Sequence, residues 1–219
     1  MIPLRDIVPS RTRPYVTVAI ILLNVAVFLF ELSLPAPARQ ALIQTYGVVP
    51  AAFAWSTLIT SMFLHAGWLH IGGNMLYLWI FGDNVEDRVG HGRFLVFYLL
   101  CGTVAGLAQV FSAPASIVPT IGASGAIAGI MGAYIVLYPR SRILSLVPLF
   151  IFWPIIEVPA VFFLGLWFLV QLVSVGSSAA SPLGGGIAIW AHIAGFLAGM
   201  AGILVFRRPE RERVEWWSD

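Results

Sequence analysis

Six apolar stretches, each close to the length of a bilayer crossing, take up about half of this chain and divide the rest into short connections. They run from about Tyr15 to Leu34, Leu58 to Phe81, Phe94 to Phe111, Gly122 to just before Pro139, Pro159 to Val175, and Ile187 to Phe206. A helix needs ~20 apolar residues to cross the ~30 Å hydrocarbon core. The composition agrees: 59% of the 219 residues are hydrophobic and 10% are charged, with a mean hydropathy of +0.91. A soluble domain carries about 25% charged residues. Lipid is therefore the natural solvent, and the expected fold class is an all-α membrane protein, a bundle of six transmembrane helices. The chain reads as a single membrane domain over 1–219, with a short segment at 1–14 and a tail at 207–219.

Between the fourth and fifth spans, Ile143 to Val158 is apolar but carries Pro148 and Pro154. Proline removes a backbone donor and breaks a helix, so this stretch is expected to be irregular or interfacial. The Pro35-Ala36-Pro37 breaker ends the first span, and the semi-apolar loop from Pro35 to Thr57 is expected near the interface. All 12 basic residues are Arg. With the N-terminus in the cytoplasm, Arg5, Arg11, Arg13, Arg88, Arg93, Arg140, Arg142, Arg207, Arg208, Arg211 and Arg213 fall inside and only Arg39 falls outside. Such a bias sets topology and predicts that both termini are cytoplasmic. It also accounts for the basic residues without a nucleic-acid partner. The first apolar stretch lacks a small-residue cleavage site and reads as a retained anchor. Cys101 is alone, which rules out an intrachain disulfide, and one Cys with four His leaves no Cys-rich zinc site.

Polar residues at membrane depth are costly and are functional candidates by default. Here they are His65, His70 and Asn74 in the second span, Ser124 in the fourth and His192 in the sixth. Under the predicted topology all of them come to a similar depth below the outer surface. Ser124 lies in Gly122-Ala123-Ser124-Gly125, where every neighbour is small and leaves room for an incoming carbonyl. Small residues recur at four-residue spacing after it, through Gly125 and Gly129, and in the sixth span through Ala191, Gly195 and Gly199. That spacing lets helices touch closely in lipid and would bring His192 to Ser124. An imidazole in reach can take the proton of a serine hydroxyl. Glu31 is near the end of the first span and Glu157 near the inner side, and no carboxylate stands beside Ser124 or His192 in their own spans, so the expectation is a Ser–His dyad. His70 and Asn74, four apart on one face, can both donate to an oxyanion. His65, five residues before His70, is expected to turn away and hold the outer loop. On this chemistry alone, a hydrolase and the lining of a transport path both remain open.

The same residues resemble a known family. His65-x4-His70-x3-Asn74, Gly122-Ala123-Ser124-Gly125 and Ala191-His192-x2-Gly195, in this order, are similar to the motifs of the rhomboid intramembrane serine proteases, over Pro50 to Phe206. Val85-Glu86-x-Arg88-x-Gly90 is similar to the family's segment after the second span, and the N-terminal Ile2-Pro3-Leu4-Arg5-Asp6 through Thr12-Arg13-Pro14 resembles that of many bacterial members. The resemblance implies a six-helix rhomboid-like bundle with a cavity open to the outside. It implies Ser124 as nucleophile, His192 as base, and His70, Asn74 and the Ser124 backbone N–H as the oxyanion hole. His65, Gly122, Gly125 and Gly195 are then supporting residues. Substrates would be single-span transmembrane proteins cut at or near the membrane surface, with membrane lipids as surroundings and no metal or cofactor. The location would be a bacterial inner membrane. A catalytically silent, client-binding member is the alternative; such relatives typically lose the serine or the histidine, and this chain keeps both. Two positions depart from the family pattern. Ala128 stands where some members carry a Tyr beneath the catalytic His, and Trp55 is followed by Ser56 where some carry Trp-Arg.

Overall fold

Most of the apolar runs become helices. The computed structural model describes residues 1–148, 151–178 and 188–208. In chain order its elements are β1 (Ile2–Asp6), α1 (Tyr15–Ser33), α2 (Ala36–Tyr46), α3 (Thr57–Thr60), α4 (Trp68–Val89), α5 (His91–Ser112), α6 (Ser124–Leu137), β2 (Arg142–Leu146), β3 (Ile155–Pro159), α7 (Ala160–Ser178) and α8 (Ile189–Phe206). Three of these, α1, α5 and α8, are long and apolar enough to cross a membrane; α6 and the Ala160–Ser174 part of α7 are shorter apolar helices. The molecule is thus a mostly helical, multi-pass membrane protein. The expected start of the sixth span at Ile187, and Arg211 and Arg213, lie outside the described residues.

Two expectations need correction, the start of the second span and the all-helical fold. The second helix starts at Trp68, not Leu58. Residues 57–63 instead form one α-turn and one 3₁₀ turn, and Leu64 is extended, with ψ 144°. The helix then runs eight residues beyond Phe81, because its polar end finds partners. The Asn84 amide donates to the Val8 carbonyl at 3.0 Å, and Asp87 accepts from the Thr12 backbone N–H at 3.0 Å. The outer loop after Pro35 contains α2, with Pro37 in its first turn, where a missing N–H costs nothing. The fold is also not purely helical. The proline-bearing stretch after α6 folds back as β2 and β3, and β1 joins them in an antiparallel sheet of order β1-β2-β3.

Helix ends are secured by carboxylates. α1 begins after Pro14 with no side-chain cap of its own. Its first N–H groups lack intrahelical acceptors, and Glu86 from α4 supplies them. Glu86 accepts from Val16 N–H at 2.9 Å, from Thr17 N–H at 2.7 Å and from the Thr17 hydroxyl at 2.7 Å. Its charge also faces the positive end of the helix dipole. Gly90, at φ 87°, makes the turn into α5 that a residue with a Cβ enters only with strain. The sheet is tied to α6 through Asp6, whose carboxylate accepts from the Tyr134 hydroxyl at 2.6 Å.

The core centres on Leu78 and Phe81 of α4, Phe97 and Tyr98 of α5, and Ile130 and Tyr134 of α6, all essentially inaccessible. Packing of α6 on α8 is closer than side chains allow. A Cβ on Gly195 would strike the Gly125 carbonyl, one on Gly199 the Gly129 carbonyl, and one on Gly132 the Phe196 carbonyl. Gly125 itself points at α5, where a Cβ would lie 2.6 Å from that of Ala105. The glycine rows therefore join three helices.

Two outcomes follow from this packing. Gly199→Val places three carbons where a carbonyl already lies, an overpacking that costs ~1–3 kcal/mol or more; its melting temperature in detergent should fall by several degrees. The second concerns pH. Burial, the largest cause, pushes the Asp6 carboxyl up from 3.8 to about 6. A raised carboxyl favours the protonated folded state, so its contribution is full below 3.8 and is lost as pH rises through about 6. Between pH 5 and 7 the wild type should lose stability relative to Asp6→Asn, measured by thermal unfolding of both at each pH.

Candidate functional site

Ser124 opens α6. The first four N–H groups of a helix have no intrahelical acceptor and carry the positive end of its dipole, so the Ser124 backbone faces its surroundings as an anion donor. The loop leading to it is pinned on both sides. Val48 and Thr120 exchange backbone hydrogen bonds at 3.0 and 2.8 Å, and Gly122 N–H donates to the Ser61 carbonyl at 2.8 Å. Gly122 has φ 119°, and a Cβ there would also lie 2.6 Å from His70 Nε2. Glycine is required at this position by both conformation and space.

His192, on the second turn of α8, reaches this serine. Its Nε2 stands 2.7 Å from Ser124 Oγ. The two residues are 68 apart in sequence, and the α6–α8 glycine contact brings them together. On the far side of the ring, Nδ1 lies 2.9 Å from Gln171 Oε1 of α7. Trp167, one turn earlier on α7, packs against the ring with centroids 5.8 Å apart. Trp167 and Phe168 also stack on Phe196 of α8, at 6.0 and 4.7 Å. This answers what holds the imidazole where Ala128 offers no ring. Gln171 escaped the sequence reading. Its signal was an amide within the apolar run of α7, four residues from Trp167 and so on the same face.

His70 and Asn74 face the same space from α4. The Ala66 N–H donates to His70 Nδ1 at 3.3 Å, so the ring proton sits on Nε2, beside Gly122. Asn74 is 8% exposed and its Nδ2 lies 2.9 Å from His65 Nε2. An amide nitrogen only donates, so His65 accepts through Nε2. His65 was expected to turn away; instead its ring lies 5.1 Å from that of His70, edge to face. The helical spacing used for that expectation does not apply, because the helix begins only at Trp68. The His65 backbone N–H in turn donates to Glu31 Oε1 of α1 at 3.1 Å. A cavity of about 580 Å³ is lined by His70, Asn74, Ser124, Trp167 and His192 together. Among the described residues no group of three or more His, Cys, Asp or Glu is placed to hold a metal.

An apolar helical bundle with a polar Ser–His pair in a cavity at one end is the molecular class that these observations define. Comparison with known proteins gives the family. The Rhomboid domain model matches residues 52–209, and the chain belongs to the rhomboid family. Relatives include rhomboid protease GluP of Bacillus subtilis, 41% identical over 92 residues, which are 41% of this chain and 18% of that protein. Mitochondrial rhomboid protein 1 of Saccharomyces cerevisiae is 34% identical over 136 residues, 59% of this chain and 38% of that one. Rhomboid-type serine protease 2 of Emericella nidulans is 30% identical over 173 residues, 75% of this chain and 30% of that one. The matched part spans well under two thirds of the length of each of these three relatives.

The Gly122 geometry sets a test of the site. Gly122→Ala strains the backbone and displaces His70, so it should depress any Ser124-dependent activity roughly tenfold or more while costing ~1–3 kcal/mol of stability. Activity assays paired with thermal unfolding check both.

Proposed function

We propose that this chain is an intramembrane serine endopeptidase that cleaves single-span membrane proteins with a Ser124–His192 dyad. The observation that carries the reading is the 2.7 Å approach of His192 Nε2 to Ser124 Oγ inside a cavity that also holds two polar donors. Ser124 Oγ attacks the scissile carbonyl carbon as its proton passes to His192 Nε2. The carbonyl oxygen takes up the negative charge, facing His70 Nε2–H, Asn74 Nδ2–H and the Ser124 N–H. Each such donor is worth about 3 kcal/mol when aimed at the developing oxyanion. Collapse breaks the C–N bond, and the His192 proton goes to the leaving amine. Water then repeats the sequence on the acyl-enzyme and frees Ser124.

The setting follows from the same residues. Six helices, α1 and α4 to α8, cross the membrane with both termini in the cytoplasm. Arg88, Arg93, Arg142 and Arg208 belong to the helix ends and strand opposite the Ser124 end, which supports this orientation. The cavity then opens to the outside, and the membrane is a bacterial inner membrane. Partners are single-span transmembrane substrates and the surrounding lipids. The retained serine and histidine speak against a silent client-binding protein.

Labelling of the purified protein in detergent by a fluorophosphonate tests the reading. Wild type should label, Ser124→Ala should not, and His192→Ala should label at least ~10³-fold more slowly while keeping its melting temperature. Equal labelling of wild type and Ser124→Ala would sink the assignment.

A further inference from the structure

We propose that Gln171 is the positioning residue of the dyad, the third member that fixes the tautomer and orientation of His192. The proposal rests on the protease reading and concerns the same site.

An imidazole serves as base for a hydroxyl only if its facing nitrogen carries a lone pair and the ring is held still. The facing nitrogen is Nε2, at 2.7 Å from Ser124 Oγ. The proton must then reside on Nδ1, and an N–H buried without an acceptor is costly. His192 is 8% exposed, so water is a poor substitute. Gln171 Oε1, at 2.9 Å from Nδ1, is the acceptor. A serine triad meets the same need with a carboxylate. Here an amide does it without placing a charge at membrane depth, where a carboxylate would be expensive.

The amide is itself aimed by packing. Trp167 precedes it by one turn on the same face of α7, lies against the His192 ring and stacks on Phe196. The position thus depends on α7 lying against α8, while the α6–α8 glycine contact sets the distance from His192 to Ser124. Among the described residues, His70 of α4 is the titratable group that interacts electrostatically with His192; the groups facing it from α6 and α7 are the Ser124 hydroxyl, the Trp167 ring and the Gln171 amide.

A neutral amide acts differently from a carboxylate in one measurable respect. Proton transfer from Ser124 makes His192 an imidazolium, which a carboxylate at Nδ1 would stabilise by its charge and an amide stabilises only by its dipole. Gln171→Glu therefore keeps the acceptor and adds the charge, and Gln171→Met keeps the volume and removes the acceptor.

The test is the rate of fluorophosphonate labelling of the full chain in detergent as a function of pH, with melting temperatures for each variant. Gln171→Met should label roughly ten- to a hundredfold more slowly at every pH, a share of the ~10²–10⁴ that a positioned acid–base group supplies. Gln171→Glu should recover labelling at alkaline pH, with the midpoint of the pH–rate curve moved upward by roughly one to three units. A purely structural role would lower the melting temperature and leave that midpoint in place. A wild-type rate in Gln171→Met, or a wild-type midpoint in a folded Gln171→Glu, overturns the assignment of Gln171 alone. Failure of wild type itself to label removes the protease reading and this one with it.

Discussion

The backbone contact between α6 and α8 is the constraint on which the rest of the molecule depends. In lipid there is no hydrophobic drive to bring two apolar helices together, so association rests on close packing and on hydrogen bonds. Gly195 against the Gly125 carbonyl, Gly199 against the Gly129 carbonyl and Gly132 against the Phe196 carbonyl remove the side chains that would hold the helices apart. Dispersion forces fall off within fractions of an ångström, so this spacing decides both how firmly the helices adhere and where their polar groups meet. A wider interface would carry His192 beyond hydrogen-bond reach of Ser124.

Around that contact the polar groups constrain one another. Ala66 N–H sets the tautomer of His70, Asn74 sets that of His65, and Gln171 sets that of His192. Each bond holds one of the side chains that line or back the cavity. The opposite end of the molecule uses the same physics for anchoring. Glu86 satisfies the free amides of α1, and Asp6 ties the sheet to Tyr134 of α6. Most of the charge lies at that end; at the cavity end Glu31 braces the His65 backbone, and the cavity lining itself carries no Asp, Glu, Lys or Arg. The division suits polar groups held inside an apolar bundle, where an unpaired charge is costly.

Much of this was legible in the sequence. Five of the six apolar stretches became helices near their expected limits, because apolar length and Pro placement are local signals. The four-residue glycine spacing of two stretches foretold their contact. His65 was misread for a physical reason. Leu58 to Phe81 has the length of a single span, and Gly67 alone is a weak local sign that residues 57–67 turn before the helix begins. The sheet was hidden because β2 and β3 are apolar runs broken by proline, and their partner β1 lies more than a hundred residues away. Gln171 was hidden because an amide in an apolar helix gains meaning only from what stands opposite it.

What the sequence by itself determined is the solvent, the number and rough length of the apolar stretches, and the kinds of residue available for chemistry, since all of these follow from composition and short-range periodicity. The tertiary structure alone decided which groups the ring nitrogens of His65, His70 and His192 face, that His65 backs Asn74, and that Gln171 faces His192. Those facts are relations between particular side chains, set by how the loop before α4 turns and by the glycine contacts and aromatic packing of α6, α7 and α8. A one-dimensional pattern does not encode relations of that kind until the chain has folded.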